Sequence, residues 1–362
     1  MKLAKNLSKL GTETAFKVLA EAKKLEKQGK KIIHLSLGQP DFKTPKNIVL
    51  AAKNALDKGY HGYTPSNGLF ELRKEVSFDA NKRFHVDVDP ENILIVPGGK
   101  PIIFFSILMF SEPGSEIIYP DPGFPIYKSV IEYAGSKAVP LKLKEEDNFQ
   151  INVKKMVSLI NKKTRLIIIN NPNNPTGSFM QKEKIDEIVK SLIKFPNVAI
   201  LSDEIYSRLI FDNYEMPSLL KYPAIRNRLI VLDGWSKTYC MTGWRLGWGI
   251  WPSKLINYAN KLAVNDHSCA NAVSQIAGIE ALRGSQKAVK KILKEFQERR
   301  DLIFEGLNSL KNVSCFKPGG AFYAFPNVSK TDLSGDKFAK KALEEYGVAA
   351  VSYTHLTLPT KA

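Results

Sequence analysis

The apolar positions of this chain form two recurring patterns, short continuous runs and longer segments with helical spacing. Continuous, mostly apolar runs that are bounded by turn residues predict buried strands. These runs are residues 92–96, 116–119, 166–170, 198–201 and 228–232, and residues 31–37 are interpreted in the same way. Stretches of helical length lie between most of them. This alternation predicts an α/β fold with a largely parallel sheet.

Two helices are indicated with particular clarity. An amphipathic segment from about Thr14 to Gln28 ends at Gly29, which is a typical C-terminal signal of a helix. The longest apolar run, residues 102–110, is too short to span a bilayer and is interpreted as a buried helix. The first residues, Met1-Lys-Leu-Ala-Lys-Asn6, contain no apolar signal core. We therefore expect a cytoplasmic protein that does not bind a membrane.

Composition narrows the class of protein. With 362 residues, 44% of them hydrophobic and 25% charged, the chain fits an ordinary globular protein with a large and a smaller domain. The net charge of +17 comes mostly from lysines spread along the chain. This favours a surface that attracts anionic substrates over a nucleic-acid-binding role. Cys240, Cys269 and Cys315 lack CxxC spacing, which indicates free thiols and neither disulfides nor metal ligands.

Polar residues and glycines follow the predicted strands, where open α/β sheets bind their ligands. In chain order they are Gly98-Gly-Lys100, Phe124, Asn170-Asn-Pro-Asn-Asn-Pro-Thr-Gly177, Asp203-Glu-Ile-Tyr206 and Ser236-Lys237. A lysine at the mouth of a buried strand can be desolvated, which lowers its pKa and frees the amine to attack a carbonyl. Arg245, eight residues after Lys237, supplies a planar fork suited to a phosphate. Together they suggest a cofactor that carries an aldehyde and a phosphate, and pyridoxal phosphate fits both.

Each of these residues also has a purely structural interpretation. The glycine pair at 98–99 could seat a phosphate at a helix N-terminus or form an ordinary turn. Asp203 could bind a protonated pyridine nitrogen or cap a following helix. Asn174 and Tyr206 could hydrogen-bond a phenolate oxygen, but Asn-Pro pairs often form turns and a tyrosine often belongs to a core. Phe124 could stack on the cofactor ring or be plain core.

Taken together, the motifs resemble those of the class I aminotransferases, which are pyridoxal-phosphate enzymes of fold type I, and in particular their bacterial aspartate-aminotransferase-like branch. The motifs are Leu37-Gly-Gln-Pro-Asp-Phe42, Tyr63-Thr-Pro65, Pro97-Gly-Gly-Lys100, Asn171-Pro-Asn-Asn-Pro-Thr-Gly177, Ser202-Asp-Glu-Ile-Tyr206 and Ser236-Lys237 with Gly243-Trp-Arg245. The resemblance runs from about Thr12 to about Val351. It implies a three-layer α/β/α large domain over residues 39–280. It also implies a smaller α/β domain from both chain ends, residues 1–38 and 281–351.

The resemblance implies a role for each matching position. Lys237 is expected to hold the cofactor as a Schiff base and to shuttle a proton, with Asp203 at the pyridinium and Tyr206 at the phenolate. The expected cofactor-binding residues are Gly99, Lys100, Phe124, Asn174, Asp203, Tyr206, Ser236, Lys237 and Arg245, together with Tyr63 of the neighbouring subunit. The expected substrate-binding residues are Gly38, Phe124 and Asn174, and no metal is expected. Because Tyr63 matches a tyrosine that reaches the neighbouring phosphate, the resemblance implies a homodimer with shared sites.

Some residues depart from the family pattern. Trp235 and Cys240 are bulkier or rarer than that pattern usually allows. Family members continue to a late arginine that pairs with the α-carboxylate of the substrate, whereas the last arginines here are Arg299 and Arg300. Residues 352–362 match no family element and resemble a translated sequencing-library adapter. We therefore expect a truncated chain with a non-native tail that binds the cofactor but transaminates poorly.

The expected reaction transfers an amino group from an L-amino acid to a 2-oxo acid. Lys100 is expected beside the phosphate seat, and the resemblance to the bacterial aspartate branch implies that a lysine there accompanies an acidic substrate side chain. Aspartate with 2-oxoglutarate is therefore the first hypothesis. One alternative is a β-lyase of the same fold that acts on sulfur amino acids. Another is a non-catalytic, aminotransferase-like regulator, which is disfavoured because Lys237 is retained and no DNA-binding segment precedes Thr12. Residues 265–268 and 319–323 contribute pocket walls without a readable motif, so the sequence leaves the amino-acid specificity open.

Overall fold

The computed structural model describes residues 1–11 and 14–353. Its α-helices are α1 (Thr14–Lys27), α2 (Lys46–Asp57), α3 (Phe70–Phe84), α4 (Lys100–Phe110), α5 (Ile126–Tyr133), α6 (Val153–Leu159), α7 (Lys182–Leu192), α8 (Pro223–Arg226), α9 (Ile256–His267), α10 (Ala272–Arg283), α11 (Lys287–Asn308) and α12 (Gly335–Tyr346). Its strands are β1 (Ile33–His34), β2 (Ile93–Val96), β3 (Glu116–Asp121), β4 (Lys137–Lys142), β5 (Thr164–Asn170), β6 (Ala199–Asp203), β7 (Leu229–Gly234), β8 (Gly247–Ile250), β9 (Ser314–Cys315), β10 (Pro326–Asn327) and β11 (Val348–Ala349).

The central sheet has seven strands in the order β2-β8-β7-β6-β5-β3-β4. Strand β8 runs antiparallel to both of its neighbours, β2 and β7, and the pairs from β7 to β4 are parallel. Strand β2 therefore points the same way as β7. The predicted α/β fold with a largely parallel sheet is confirmed, and the carboxyl ends of β2, β3, β5, β6 and β7 lie at one edge of that sheet.

The sheet separates two hydrophobic cores, which explains why its strands read as continuous apolar runs. Along β6, Ile200 contributes to one core while Ala199 and Leu201 contribute to the other. Helices α2, α3, α7 and α10 supply the first core, and α4, α5 and α9 supply the second. Helices therefore cover both faces, and the expected three-layer α/β/α arrangement is confirmed.

The strand predictions were incomplete, and the short strands β9, β10 and β11 were among those not predicted. The segment 31–37 is a strand only at Ile33–His34, because only these two residues pair with β11. Strands β4 and β8 were not predicted. The sequence of β8, Gly247-Trp-Gly-Ile250, has no strand-like apolar run, because close packing requires glycine at two of its positions. A Cβ on Gly249 would lie 2.7 Å from Nε1 of Trp251, so a larger residue would not fit there.

The two ends of the chain meet in a small parallel pair, because β1 pairs with β11. The first predicted helix is confirmed as α1, and Gly29 follows it with φ of 87°. Of the predicted non-native tail, residues 354–362 lie outside the described residues. Tyr353 is described, and its hydroxyl donates to Oδ1 of Asp121 over 3.0 Å.

Among the described residues, the helices are all too short or too polar to cross a membrane.

Candidate active site

The sheet brings the predicted site residues to one edge. Register places Asn170 of β5 opposite Asp203 of β6, and Asp203 opposite Leu232 of β7. The segments that follow these strands carry the asparagine motif, Tyr206 and Lys237. The sequence-based expectation that they share one edge is therefore confirmed.

Asp203 is a buried carboxylate at the end of β6, with 4% of the residue exposed. Its Oδ2 accepts a hydrogen bond from the Tyr127 hydroxyl over 2.6 Å, and its Oδ1 accepts one from the Ile205 amide over 3.2 Å. Burial raises the pKa of Asp203 to about 6, against the lowering effect of these bonds and of the Lys237 charge. Turns follow Asp203 and no helix begins there, so the helix-cap interpretation is wrong. A cation placed at this carboxylate would relieve the cost of its burial.

Lys237 lies in the turn after β7 and is half-buried. Its Nζ donates to the carbonyl oxygen of Gly38 over 2.6 Å. The same Nζ lies 6.0 Å from the ring centroid of Tyr206 and 5.8 Å from that of Phe322. Ser236, directly before it, is buried. The amine is therefore held in a largely aromatic environment beside the Gly38 backbone.

Tyr206 and Asn174 are held by hydrogen bonds to other site residues. Tyr206 is 2% exposed, and its hydroxyl shares a 2.5 Å hydrogen bond with the hydroxyl of Tyr323. Burial raises the pKa of Tyr206 well above its usual value, so its hydroxyl keeps its proton. The Asn174 amide donates to Oδ1 of Asn170 over 2.8 Å, and Nδ2 of Asn170 donates to the Asp203 carbonyl over 3.0 Å. The asparagine loop is thus fixed to the end of β6.

The N-terminus of α4 faces the Arg245 guanidinium. Gly98 has φ of 81°, a conformation that favours glycine, and Gly99 is the N-cap residue without a capping side chain. Nη1 and Nη2 of Arg245 donate to the carbonyl oxygens of Thr242 over 2.9 Å and Pro97 over 3.2 Å. A Cβ on Gly98 would overlap Nη2 of Arg245. Backbone amides and a fixed cation therefore form a cradle for an anion.

Lys100 and Phe124 lie together at the side of the site. Nζ of Lys100 is 5.6 Å from the ring centroid of Phe124. The Phe124 ring is half-buried and meets Tyr127 edge-on, with centroids 5.8 Å apart. Tyr63, in contrast, is 91% exposed and so makes little contact within its own chain.

Three residues of the site were not predicted to have a role in it, namely Tyr127, Phe322 and Tyr323. Tyr127 lies at the start of α5, three residues after Phe124, and its amide donates to the Phe124 carbonyl over 3.1 Å. Phe322 and Tyr323 belong to the segment 319–323, which was expected only to form a pocket wall. Tyr323 joins Tyr206 across 117 residues of chain, and no local pattern reports such a contact.

The two departures from the family pattern have structural explanations. Trp235 is buried, and its Nε1 donates to the Gly278 carbonyl over 3.1 Å, so it belongs to the core behind the site. Burial raises the pKa of the Cys240 thiol to about 11, which keeps that thiol protonated at neutral pH.

These groups fit pyridoxal phosphate. The cradle of Gly98 and Arg245 suits its phosphate, and the Lys237 amine suits its aldehyde. Asp203, whose hydrogen-bond donors are a neutral hydroxyl and an amide, suits its protonated ring nitrogen. A doubly covered α/β sheet with this site at its carboxyl edge therefore indicates a pyridoxal-phosphate-dependent enzyme.

Comparison with known proteins identifies the family. The model of the aminotransferase class I and II family matches residues 30–361. A probable aspartate aminotransferase of Methanocaldococcus jannaschii is 38% identical over 344 residues, which cover 91% of this chain and 89% of that protein. The aspartate aminotransferase of Pyrococcus horikoshii is 38% identical over 325 residues, covering 89% of this chain and 82% of that protein. The Thermus thermophilus aspartate aminotransferase with maleate has a TM-score of 0.92 and 28% identity, and covers 97% of this chain and 91% of that chain.

The chain belongs to the class I and II aminotransferases. It is therefore a pyridoxal-phosphate-dependent transaminase, as the resemblance implied.

Proposed function

We propose that the chain transfers the amino group of aspartate, or of a related acidic amino acid, to a 2-oxo acid such as 2-oxoglutarate. The observation that carries the choice of substrate is the place of Lys100, whose Nζ lies over the Phe124 ring beside the anion cradle. A lysine there attracts a second carboxylate. The names of the two relatives, and the dicarboxylate maleate that accompanies the Thermus enzyme, agree with this proposal.

Lys237 carries the proton transfer in this proposal. Pyridoxal phosphate supplies, when bound, an aldehyde that reacts with amines and a ring that acts as an electron sink. The Lys237 amine would remove the proton from the α-carbon of the substrate and would deliver it to the carbon atom that carries the aldehyde in the free cofactor. A base that is already positioned at the reacting atom needs no further ordering, which is the basis of its efficiency.

The remaining residues bind and orient. Asp203 holds a proton on the ring nitrogen, because a buried carboxylate is stabilised most by a cation beside it. Asn174 and Tyr206 donate to the phenolic oxygen. The phosphate is bound by the Gly99 and Lys100 amides, Ser236 and Arg245. Gly38 would contact the substrate carboxylate through its backbone, and Phe124 would stack on the cofactor ring.

We propose a homodimer as the active form. Tyr63, which is 91% exposed in one subunit, would then bind the phosphate in the neighbouring site. Light scattering is expected to give about twice the 40.6 kDa mass of one chain. The division into a large domain (39–280) and a small domain from both ends (1–38 and 281–351) belongs to the same proposal, and the β1–β11 pair supports it.

The substrate proposal is tested by changing Lys100. Lys100→Met is expected to lower kcat/KM for aspartate by about 10- to 100-fold and to change kcat/KM for alanine by less than about threefold. The reason is that an ionic hydrogen bond is lost only when the amino-acid substrate has an acidic side chain. Lys144→Met is the matched control, because that exposed lysine pairs with Glu146 on the surface. An equal loss for both donors would contradict the role of Lys100.

The β-lyase alternative predicts different products. Release of pyruvate and sulfide from cysteine, without formation of glutamate from 2-oxoglutarate, would replace the transaminase proposal with that reaction.

A further inference from the structure

The segment 318–323 reaches the site from the far end of the chain and is bonded to it on two sides. The Gly319 amide donates to the Gly177 carbonyl over 2.9 Å, at the end of the asparagine motif. The Ala321 amide donates to the Leu209 carbonyl over 2.8 Å, in the loop after β6. The segment is therefore held by the same two loops that present Asn174 and Tyr206.

A buried arginine fixes the start of this segment. Arg300 of α11 is buried, and its Nη1 donates to the Pro318 carbonyl over 2.6 Å. Both terminal nitrogens of Arg300 also donate to Asp212, over 3.0 and 2.6 Å. The bidentate, charge-assisted contact with Asp212 orients the guanidinium, and the guanidinium in turn holds the Pro318 carbonyl.

Tyr323 is placed by this segment between Gly38 and Tyr206. Its hydroxyl lies 2.5 Å from the hydroxyl of Tyr206, and a Cβ on Gly38 would lie 2.5 Å from the same oxygen. The Gly38 carbonyl in turn accepts the hydrogen bond from Lys237 over 2.6 Å. One hydroxyl thus touches two of the elements that surround the reactive amine.

The direction of the hydrogen bond between the two tyrosines matters for the site. A phenol carries a single proton, so Tyr206 cannot donate to both Tyr323 and a bound cofactor. If Tyr206 donates to the cofactor, the hydrogen bond between the two hydroxyls has to be donated by Tyr323. Either hydroxyl can donate that bond by itself, and a bound cofactor would leave Tyr323 as the donor. Hydrogen bonds in a chain strengthen one another in a buried environment, so a donor behind Tyr206 makes Tyr206 a better donor.

We propose, on the basis of the proposed function, that Tyr323 is a positioning residue that donates to Tyr206 and thereby directs the Tyr206 proton to the phenolic oxygen of the cofactor. It acts through Tyr206 and has no direct role in proton transfer. Gly38 and Gly177 are then required because they leave room for it, since a Cβ on Gly177 would lie 2.7 Å from the Tyr323 carbonyl oxygen.

The test uses Tyr323→Phe, which removes only the hydroxyl, in protein loaded with pyridoxal phosphate. The measurement is the pH midpoint of the absorbance change of the bound cofactor. We expect the midpoint to rise by about 0.3 to 0.5 pH units, because the phenolate loses part of its stabilisation. Tyr222→Phe is the matched control with an unchanged midpoint, since its hydroxyl donates to Asp186 over 2.6 Å away from the site.

A double variant separates action through Tyr206 from a direct effect. Tyr206→Phe with Tyr323→Phe is expected to have the same midpoint as Tyr206→Phe alone. An unchanged midpoint in Tyr323→Phe, or a further shift in the double variant, would overturn the role of Tyr323 and would leave the proposed function intact. A wild-type protein without any absorbance of bound cofactor would instead overturn the proposed function, and this proposal with it.

Discussion

Strands β6 and β7 each carry a buried aspartate near the carboxyl end, Asp203 and Asp233, and the two differ in how their charge is balanced. They are 4% and 6% exposed, and burial raises the pKa of each to about 6. Asp203 faces the core of α4 and α5, where Tyr127 donates to it. Asp233 faces α3, where Nη1 of Arg83 lies 3.9 Å away.

The difference between their partners separates a structural carboxylate from a functional one. Asp233 accepts from Ser207 and from the Gly234 amide, both over 2.6 Å, and the charges of Arg83 and Arg208 favour its ionised form. These arginines are part of the fold. The hydrogen-bond donors of Asp203 are a tyrosine and an amide, both neutral, so the ring nitrogen of the cofactor would supply its matching charge. A buried charge whose balancing cation comes with the ligand links folding energy to ligand binding.

The largest expected effect is on activity. Asp203→Asn should lower kcat/KM by about 100- to 1,000-fold, because a preorganised electrostatic group is lost at the reacting ring. Asp233→Asn, the matched control on the neighbouring strand, should stay within about threefold of wild type when folded. Steady-state kinetics with saturating cofactor measures kcat/KM for both variants. Equal losses of kcat/KM would contradict the distinction between a functional Asp203 and a structural Asp233.

Stability without cofactor should show the opposite order. Asp233→Asn is expected to raise the free energy of unfolding by less than Asp203→Asn does, because it also removes a negative charge that faces Arg83 and Arg208. Asp203→Asn is expected to raise it by about 1 kcal/mol at pH 8, because it removes a buried charge whose desolvation outweighs the favourable effect of the Lys237 amine. Urea unfolding of the cofactor-free proteins tests this, and a clear destabilisation by Asp203→Asn would contradict the comparison.

The pH dependence gives the smallest and most specific effect. The pKa of Asp203 is raised from 3.8 to about 6, so between these values the folded state binds more protons than the unfolded state. The contribution of Asp203 to the stability of the cofactor-free protein therefore falls as pH rises from about 4 to 6, by at most about 1.4 kcal/mol per pH unit. Saturating pyridoxal phosphate should remove the part due to Asp203 and leave the part due to Asp233. Urea unfolding midpoints from pH 4 to 7, with and without cofactor, measure this difference. Identical slopes of midpoint against pH in the two series would contradict the prediction.

Much of this arrangement follows from the order of residues along the chain. The continuous apolar runs predicted the strands of the sheet because both of its faces are covered. Since the strands run parallel, the residues that follow them had to meet at one edge, and Asp203, Asn174 and Lys237 do. The alternation of side chains along a strand also fixes that residues 201 and 203 point to one face. Strand β8 was not predicted, because its glycines are required by packing against neighbouring residues and do not reflect strand propensity.

Short-range order along the chain was enough to predict five parallel strands of the central sheet, the residues that follow them and the family that the motifs resemble. It did not distinguish Asp203 from Asp233 by partner, since that depends on whether α5 or α3 packs against the face concerned. Nor did it place Tyr323 beside Tyr206, a contact across 117 residues that Arg300 and the Gly177 loop make possible. These pairings depend on tertiary structure, because the partner of a buried polar group is set by the element that packs against it.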